Sequence, residues 1–194
     1  MHGTEAPSDW VRRWSHLVAP GGSVLDVACG HGRHMRWFAG QGHPVTGVDR
    51  SGEAIAAVAP LGRAIEADIE SGPWPLPGER FAAVVVTNYL WRPLWPTLLE
   101  SLLPDGVLIW ETFSVDQATV GRPARPEFLL RHGELLELCG DLRVVAYEDG
   151  FARDPGRFIQ RVAAVRTAGG HGGDAPRHLL EAPGEGARMQ DGLS

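Results

Sequence analysis

One short stretch of the chain has the residue types of a nucleotide-type cofactor loop. The apolar run Val24–Val27 contains an acidic residue, Asp26, and the chain then continues as Ala28-Cys29-Gly30-His31-Gly32. Glycines after a buried strand let the backbone turn sharply and approach a ligand without a Cβ in the way. Residues from Arg33 onward have helical character, so the loop is predicted to precede a helix whose free N–H groups face the ligand.

The spacing of the glycines separates two classes of cofactor. A dinucleotide fingerprint needs a third glycine three positions beyond the second. Met35 occupies that position when it is counted from Gly30 and Gly32, and Arg33 occupies it when it is counted from Ala28. The sequence therefore argues against NAD, and a NAD-binding oxidoreductase stays as an alternative.

Two more acidic residues follow predicted strands. Residues 43–49 form an apolar segment that ends in Asp49, about 20 residues after the loop, where an α/β cofactor domain places a ribose-binding acid. A third segment, residues 64–69, contains Asp68. A single acid at a strand end often only caps the next helix. Three acids at successive strand ends instead indicate a common binding site.

Apolar strands alternate with amphipathic helices along the chain, which predicts a doubly wound α/β sheet. The last two strands are predicted to form a hairpin across residues 149–155. The predicted strands cover about 23–29, 44–49, 63–67, 81–87, 105–112, 142–149 and 157–165, and the predicted helices cover about 8–18, 33–41, 51–59, 92–103 and 133–139.

Several of these segments carry a family resemblance. Asp26 to Gly32 resembles motif I of class I S-adenosylmethionine-dependent methyltransferases, with Ala28 where that family often has glycine. Residues 87–93, 106–113, 121–123 and 126–130 are similar to small stand-alone bacterial methyltransferases, which are distantly like tellurite-resistance and thiopurine-type methyltransferases. The resemblance covers residues 23 to about 165. It implies a Rossmann-like seven-stranded sheet, mostly parallel with an antiparallel seventh strand, and methyl transfer from S-adenosylmethionine.

The resemblance also implies roles for particular residues. Asp49 is expected to accept from the ribose hydroxyls, and Asp68 from the adenine amino group. Arg33 is predicted to pair with the methionine carboxylate, with a nearby acid as the alternative partner. The full predicted cofactor set is Asp26, Ala28, Gly30, Gly32, Arg33, Asp49, Arg50, Asp68, Ile69 and Thr87.

Methyl transfer asks the protein mainly to hold the acceptor, the methyl carbon and the sulfur in line, so a base is optional. The predicted catalytic residues are Tyr89, Asn88 and Glu111. Tyr89 ranks first because the loop after the fourth strand meets the reactive end of a ligand in open α/β sheets. An aromatic wall against the cofactor is the alternative role for Tyr89. His31 and His34 are interpreted as loop and first-turn residues.

The composition restricts the partners and the chemistry. The 194 residues have a net charge of −6, and all 18 basic residues are arginine, which excludes mechanisms that need a lysine. The negative net charge disfavours binding of nucleic acid, so a small-molecule acceptor is predicted. One alternative is an RNA or protein methyltransferase that works with a partner. The other is a cofactor-binding module without catalysis. Arg122, Arg125 and Arg131 are candidates for an anionic substrate, with solvated ion pairs as the other possibility.

The predicted organisation is one domain with a tail. Residues 1–167 form the domain, with a cap helix within residues 1–20, and the Gly- and Pro-rich residues 168–194 are predicted to be disordered. No metal site is predicted, although His171 and His178 lie in the tail. No apolar run reaches bilayer length and no signal-peptide core is present, so a cytoplasmic protein without membrane contact is expected.

Tryptophan is frequent, with seven residues in the chain. Trp10 and Trp14 lie in the predicted cap helix, and Trp91 and Trp95 flank the loop after the fourth strand. Packing in the core is the preferred interpretation for all seven tryptophans, and an aromatic lid formed by these four side chains is the alternative.

Overall fold

The computed structural model describes residues 6–168 and 176–182 of the chain. Its strands are Val24–Val27 (β1), Val45–Asp49 (β2), Arg63–Glu66 (β3), Phe81–Thr87 (β4), Leu102–Phe113 (β5), Arg143–Arg153 (β6) and Gly156–Val165 (β7). Its α-helices are Asp9–Trp14 (α1), Arg33–Gly40 (α2), Gly52–Val58 (α3), Trp95–Glu100 (α4) and Glu134–Cys139 (α5). Short 3-10 turns extend α1 at Ser15–Leu17 and precede α4 at Arg92–Leu94.

The strands form one sheet in the order β3-β2-β1-β4-β5-β7-β6. Strands β1 to β5 pair in parallel, whereas β7 lies antiparallel between β5 and β6. The predicted fold class is therefore confirmed, including the antiparallel seventh strand. The strand order reverses between β1 and β4, and the loops at the carboxyl ends of the strands beside such a reversal form the ligand crevice of open α/β sheets.

Both faces of the sheet are covered by apolar side chains. On one face, Trp95 of α4 stacks on Trp110 of β5 with ring centroids 4.0 Å apart. On the other face, Trp10 and Trp14 of α1 pack edge to face at 5.6 Å, and each is 1% exposed. Trp10, Trp14 and Trp95 therefore pack in the core, as the preferred interpretation predicts, and do not form the alternative lid. Trp91 is half-buried against the first of these cores.

The predicted helix over 92–103 is wrong at its carboxyl end. The α-helix stops at Glu100, and β5 already begins at Leu102. Phe81 N–H donates to Ser101 O at 2.8 Å, and Phe81 pairs with Leu102 across the sheet. This early pairing with β4 takes the backbone hydrogen bonds that a longer helix would have used.

The parts of the chain that flank the domain are partly described. Residues 176–182 have no helix or strand, but Leu179 O lies 3.0 Å from His16 Nε2, and Arg143 Nη1 donates to Pro176 O at 3.5 Å. The remainder of the predicted disordered tail after residue 168, including His171, lies outside the described residues. The same is true of residues 1–5 in the predicted cap region.

The described residues contain neither a membrane-spanning helix nor a cluster of metal ligands. None of the helices combines the length and apolar character needed to cross a membrane. Within residues 6–168 and 176–182, no group of three or more His, Cys, Asp or Glu side chains has the arrangement of a metal site.

Candidate active site

The loop after β1 turns through three residues with positive φ. Ala28, Gly30 and Gly32 have φ values of 53°, 50° and 74°. Gly32 has no room for a side chain, because a Cβ there would lie 2.4 Å from Cγ1 of Val58. Alanine in the left-handed region costs about 1–2 kcal/mol, so the loop keeps Ala28 at an energetic cost. The loop therefore makes the sharp turn before α2 that the sequence predicts.

Asp49 fixes the loop to the end of β2. Gly30 N–H donates to Asp49 Oδ2 at 2.8 Å, and Ser51 N–H donates to Asp49 Oδ1 at 2.9 Å. A Cβ built on Gly30 would meet no atom within 4 Å, so the loop has open space on this side. The carboxylate keeps lone pairs for a ligand, since a carboxylate accepts about four hydrogen bonds.

A cavity of about 220 Å³ lies beside this loop. The residues that line it come from the carboxyl ends of four strands and from the segment after β5, and they are Ala28, Asp49, Arg50, Ala67, Asp68, Ile69, Glu70, Tyr89 and Phe128. Five residues of the predicted cofactor set are among them. Its mixed lining of carboxylates, apolar side chains and one aromatic ring suits a nucleoside.

Asp68 is held by its own turn at the edge of this cavity. Its Oδ1 accepts from Glu70 N–H at 3.0 Å and from Ser71 N–H at 3.3 Å. These backbone donors, Glu70 first, lower the pKa of Asp68, so the group stays ionised at neutral pH. Its other oxygen is available as an acceptor.

Asp26 is buried at the end of β1 and is 2% exposed. Its Oδ2 has no hydrogen-bond partner among the described residues. Burial raises the pKa of Asp26 to about 7, although the positive charge of Arg33 opposes the shift. A buried acid with an oxygen left unpaired is destabilising by itself, and a cationic ligand group would compensate it.

His34, in the first turn of α2, connects Asp26 to the segment before α1. Its Nδ1 lies 3.9 Å from Asp26 Oδ1, and its Nε2 accepts from Ser8 N–H at 3.2 Å. Burial lowers the pKa of His34 to about 3, so the ring is neutral and Nε2 is free to accept. The structure thus gives His34 a structural role, in agreement with its interpretation as a first-turn residue.

Arg33 lies between the loop and β4. Its Nη2 donates to Thr87 Oγ1 at 3.5 Å, and its charge acts on Asp26. This interaction with Asp26 supports the alternative in which Arg33 pairs with a nearby acid. Arg33 and Thr87 do not line the 220 Å³ cavity, but they lie on the same carboxyl edge of the sheet.

Tyr89 lines the cavity wall, as the alternative interpretation predicted. Burial, followed by the charge of Glu70, raises the pKa of its hydroxyl above the usual range. A hydroxyl that gives up its proton so reluctantly is a poor general base. Asn88 beside it has φ 54°, and its Oδ1 accepts from Arg157 Nη1 at 3.5 Å.

Glu111 on β5 accepts from three donors. Arg157 Nη2 lies 3.0 Å from Oε1, Arg161 Nη1 lies 3.4 Å from Oε2, and Ser8 Oγ donates to Oε1 at 3.2 Å. The side chain is 1% exposed. These contacts favour a supporting role for Glu111, and its role in proton transfer stays a prediction.

The structure adds site residues that the sequence did not identify. Ser8 and Arg157 reach the site from 18 residues before and about 130 residues after Asp26, so local spacing carries no signal for them. Glu70 directly follows Asp68 and Ile69, which were predicted to bind the cofactor, so its position in the sequence could have identified it as a site residue. Phe128 belongs to a segment that the family resemblance already included.

Comparison with known families bears on this geometry. The family described as "Methyltransferase domain" matches residues 24–104, from β1 into β5. Residues 24–104 are therefore similar to a methyltransferase domain. The match includes the glycine loop, Asp49, Asp68 and Tyr89, whereas the segment with Phe128 and the β6–β7 hairpin lie beyond it.

Two similar proteins extend the comparison. A thiopurine S-methyltransferase of Pseudomonas syringae pv. syringae is 42% identical over 56 residues, which is 28% of this chain and 26% of that protein. The chain thus aligns with about a quarter of this curated relative's length. TehB from Haemophilus influenzae has a TM-score of 0.69 and 20% identity, over 86% of this chain and 64% of TehB.

A third similar structure is an S-adenosylmethionine-dependent methyltransferase from Mesorhizobium loti. It has a TM-score of 0.61 and 18% identity, over 79% of this chain and 95% of that one. At these identities the two structures show a shared fold. The chain therefore shares its α/β fold with these two structures.

Proposed function

We propose that this chain is an S-adenosylmethionine-dependent methyltransferase with a small-molecule acceptor. The observation that carries the proposal is the position of Asp49, which binds the glycine loop through Gly30 and also lines the adjoining cavity. Asp68 and Ile69 line the same cavity from the loop after β3. The methyltransferase domain match over residues 24–104 supports this assignment.

The residues present fit this cofactor. Asp49 would accept from the ribose hydroxyls, and Asp68 and Ile69 would contact the adenine. The unpaired Oδ2 of Asp26 would accept from the ammonium of the methionine moiety, which supplies the hydrogen-bond donor that this oxygen lacks. Arg33, in the first turn of α2, would hold the methionine carboxylate.

The chemistry asks little more of the chain than position. When bound, the cofactor would supply an electrophilic methyl group on a sulfonium, whose transfer would replace the bond from sulfur to the methyl carbon by a bond from the acceptor atom, with the electron pair left on sulfur and any proton of the acceptor passing to solvent. Tyr89 would act as an aromatic wall that orients the acceptor, since its raised pKa disfavours a role as base.

Calorimetry tests the cofactor assignment. We expect S-adenosylhomocysteine to bind and NAD not to bind. Asp49→Ala should weaken binding by roughly 1–3 kcal/mol, because the ribose hydroxyls lose a charged acceptor. Asp141→Ala, before β6 at the opposite edge of the sheet, is the control and should bind as the unaltered protein does. Binding of NAD, or of neither ligand, would contradict the proposal.

A transfer assay tests the acceptor class. The protein is incubated with methyl-labelled S-adenosylmethionine and a cell extract, which is then separated into small molecules, RNA and protein. Label in the small-molecule fraction is expected. Label only in RNA or only in protein would favour the alternative in which a partner supplies the missing basic surface.

A further inference from the structure

A second cavity adjoins the proposed cofactor site. It has a volume of about 460 Å³ and is lined by Arg122, Pro123, Ala124, Arg125 and Phe128; we call it the arginine cavity. Building on the proposed function, we propose that the arginine cavity binds the acceptor, and that this acceptor carries an anionic group, a carboxylate or a phosphate, on an apolar body.

The two cavities share a wall. Phe128 is the residue that lines both of them. A molecule in the arginine cavity would therefore contact the same ring as a molecule in the 220 Å³ cavity. This adjacency is what an acceptor needs, because its nucleophilic atom has to reach the cofactor while the rest of the molecule is held elsewhere.

The charge in the arginine cavity is not compensated within the described part of the chain. Arg122 and Arg125 make no ion pair there. Arg131, the third arginine of this region, lies 3.6 Å from Glu134 and 3.3 Å from Glu137. The structure therefore separates the three candidates from the sequence: Arg131 is paired, whereas Arg122 and Arg125 present guanidinium groups beside an apolar wall.

The segment that carries the cavity is anchored by Arg92. Arg92 Nη1 donates to Glu127 O at 3.0 Å, and Nη2 donates to Leu129 O at 2.9 Å. The same guanidinium pairs with Glu134 at 2.6 Å, which raises the pKa of Arg92 and lowers that of Glu134. These bonds fix the backbone on both sides of Phe128 to the turn after β4.

A second anchor holds the start of the segment. Gln117 is buried; its Nε2 donates to Arg122 O at 3.1 Å, and its Oε1 accepts from Phe158 N–H at 2.8 Å. Arg122 is thus tied to β7, while its side chain stays exposed. A cavity with both ends fixed can hold a ligand in one orientation relative to the cofactor cavity.

The lining defines the class of ligand. Guanidinium groups bind carboxylates and phosphates through paired N–H donors. Phe128, Pro123 and Ala124 provide an apolar surface for a ring or a short aliphatic chain. A neutral molecule of the same shape would leave both guanidinium groups without a partner, and it should bind more weakly.

A matched set of probes tests the proposal. We would titrate 2-naphthoate, 2-naphthyl phosphate and the neutral 2-naphthamide into the protein by ligand-observed NMR, with and without saturating S-adenosylhomocysteine. At least one anionic probe should bind about tenfold tighter than 2-naphthamide, as expected for charge-assisted bonds at a partly exposed site. The preferred probe distinguishes a carboxylate from a phosphate acceptor.

Two double variants with the same change of charge locate the effect. In Arg122→Gln/Arg125→Gln the preference for the anionic probe should fall to about twofold or less. In Arg80→Gln/Arg143→Gln, at the opposite edge of the sheet, the preference should be unchanged. Calorimetry with S-adenosylhomocysteine checks that both variants remain folded.

Several outcomes would overturn the inference. They are equal binding of the naphthamide, a preference that survives Arg122→Gln/Arg125→Gln, and displacement of S-adenosylhomocysteine by the anionic probe, which would place the probe in the cofactor cavity. Failure of the proposed function looks different. In that case S-adenosylhomocysteine does not bind, while the arginine-dependent preference for an anion is still measured.

Discussion

Asp26 and His34 lie side by side beneath the glycine loop, and burial shifts their pKa values in opposite directions. The pKa of Asp26 rises from 3.8 to about 7, and that of His34 falls from 6.5 to about 3. Between pH 3.8 and 7, the folded chain retains the Asp26 proton that the unfolded chain loses. The contribution of Asp26 to stability is therefore present in acid and is lost as the pH rises to 7.

His34 has the opposite dependence. Between pH 6.5 and 3, the unfolded chain binds a proton at His34 that the folded chain does not, so stability is lost as the pH falls. The two residues thus oppose each other over the range from about pH 4 to 6.5. The two contributions can be separated by comparing a variant changed only at Asp26 with the unaltered protein. Both proteins then keep the contribution of His34, which cancels in the difference.

Asp26→Asn should be stabilised relative to the unaltered protein as the pH rises from 4 to 7. The amide has no proton to lose, so the difference in unfolding free energy should grow by up to about 1.4 kcal/mol per pH unit and level off above pH 7. Urea unfolding at pH 4, 5, 6 and 7 measures it. Asp141→Asn is the exposed control. A difference that is flat with pH would show that Asp26 is ionised in the folded chain at low pH.

The same variant should lose cofactor affinity if the proposed function is right. Its stability and its binding would then change in opposite directions, as is common where a site keeps a polar group buried for a ligand. The positions of Asp26, Asp49 and Asp68 were predictable from the sequence, because each acid lies in or just after the carboxyl end of a predicted strand. The arrangement of His34, Ser8 and Glu111 was not, since it depends on where a separate segment packs.

At the scale of elements, the segment before α1 is held to the sheet by one residue. Ser8 Oγ accepts from Trp10 N–H at 3.2 Å, which caps α1, and it also donates to Glu111. Ser8 N–H donates to His34. Helix α1 has only six residues, too few to be stable alone, so its position depends on these bonds and on the burial of Trp10 and Trp14.

Ser8→Ala should lower the unfolding free energy by about 1–2 kcal/mol, because α1 loses its cap and Glu111 loses a donor in the core. Ser51→Ala is the matched control, since Ser51 caps α3 by accepting from Ala54 N–H and has no second partner of this kind. It should cost about 1 kcal/mol or less. Hydrogen exchange should increase at residues 9–14 in Ser8→Ala alone. Equal losses in both variants would show that the bond to Glu111 contributes nothing.

The elements themselves were largely predictable. All seven strands and all five helices lie where the alternation of apolar segments places them, apart from two boundaries. One is the carboxyl end of β6, which continues to Arg153 through the predicted turn over 149–155 because it pairs with β7 as far as Gly156. The other is the boundary between α4 and β5. The boundary between α4 and β5 was predicted wrongly because residues 97–103 are apolar enough to continue the helix. Pairing of Leu102 with Phe81 instead makes Leu102 the first residue of β5. Core packing was the preferred interpretation for Trp10, Trp14 and Trp95, and the lid stayed open as the alternative because an aromatic side chain near a predicted site has the same sequence signal as one in the core.

For the whole molecule, the described part of the tail makes few contacts with the domain. Leu179 O and Pro176 O are bound by His16 and Arg143, and both of these bonds are exposed. Such bonds contribute little to stability, because water competes for the same groups. The domain should therefore depend on residues up to the end of β7 and only weakly on those beyond.

A chain of residues 1–168 should unfold cooperatively in urea, with a loss of about 1 kcal/mol or less. A chain of residues 1–155 should fail to unfold cooperatively, because without β7 strand β6 loses its hydrogen-bonding partner and β5 loses one of its two. A loss of several kcal/mol in the longer chain would mean that the tail is part of the core structure.

The position of β7 also affects how the protein is made. The last strand along the chain is inserted between β5 and β6, so β6 has no strand to pair with until β7 is present. During synthesis, β5, which ends at Phe113, would emerge from the ribosome with an unpaired apolar edge about 50 residues before its neighbour β7 is complete at Val165. The sheet can close only after residue 165 has left the exit tunnel, and until then this edge is exposed to aggregation and to chaperones.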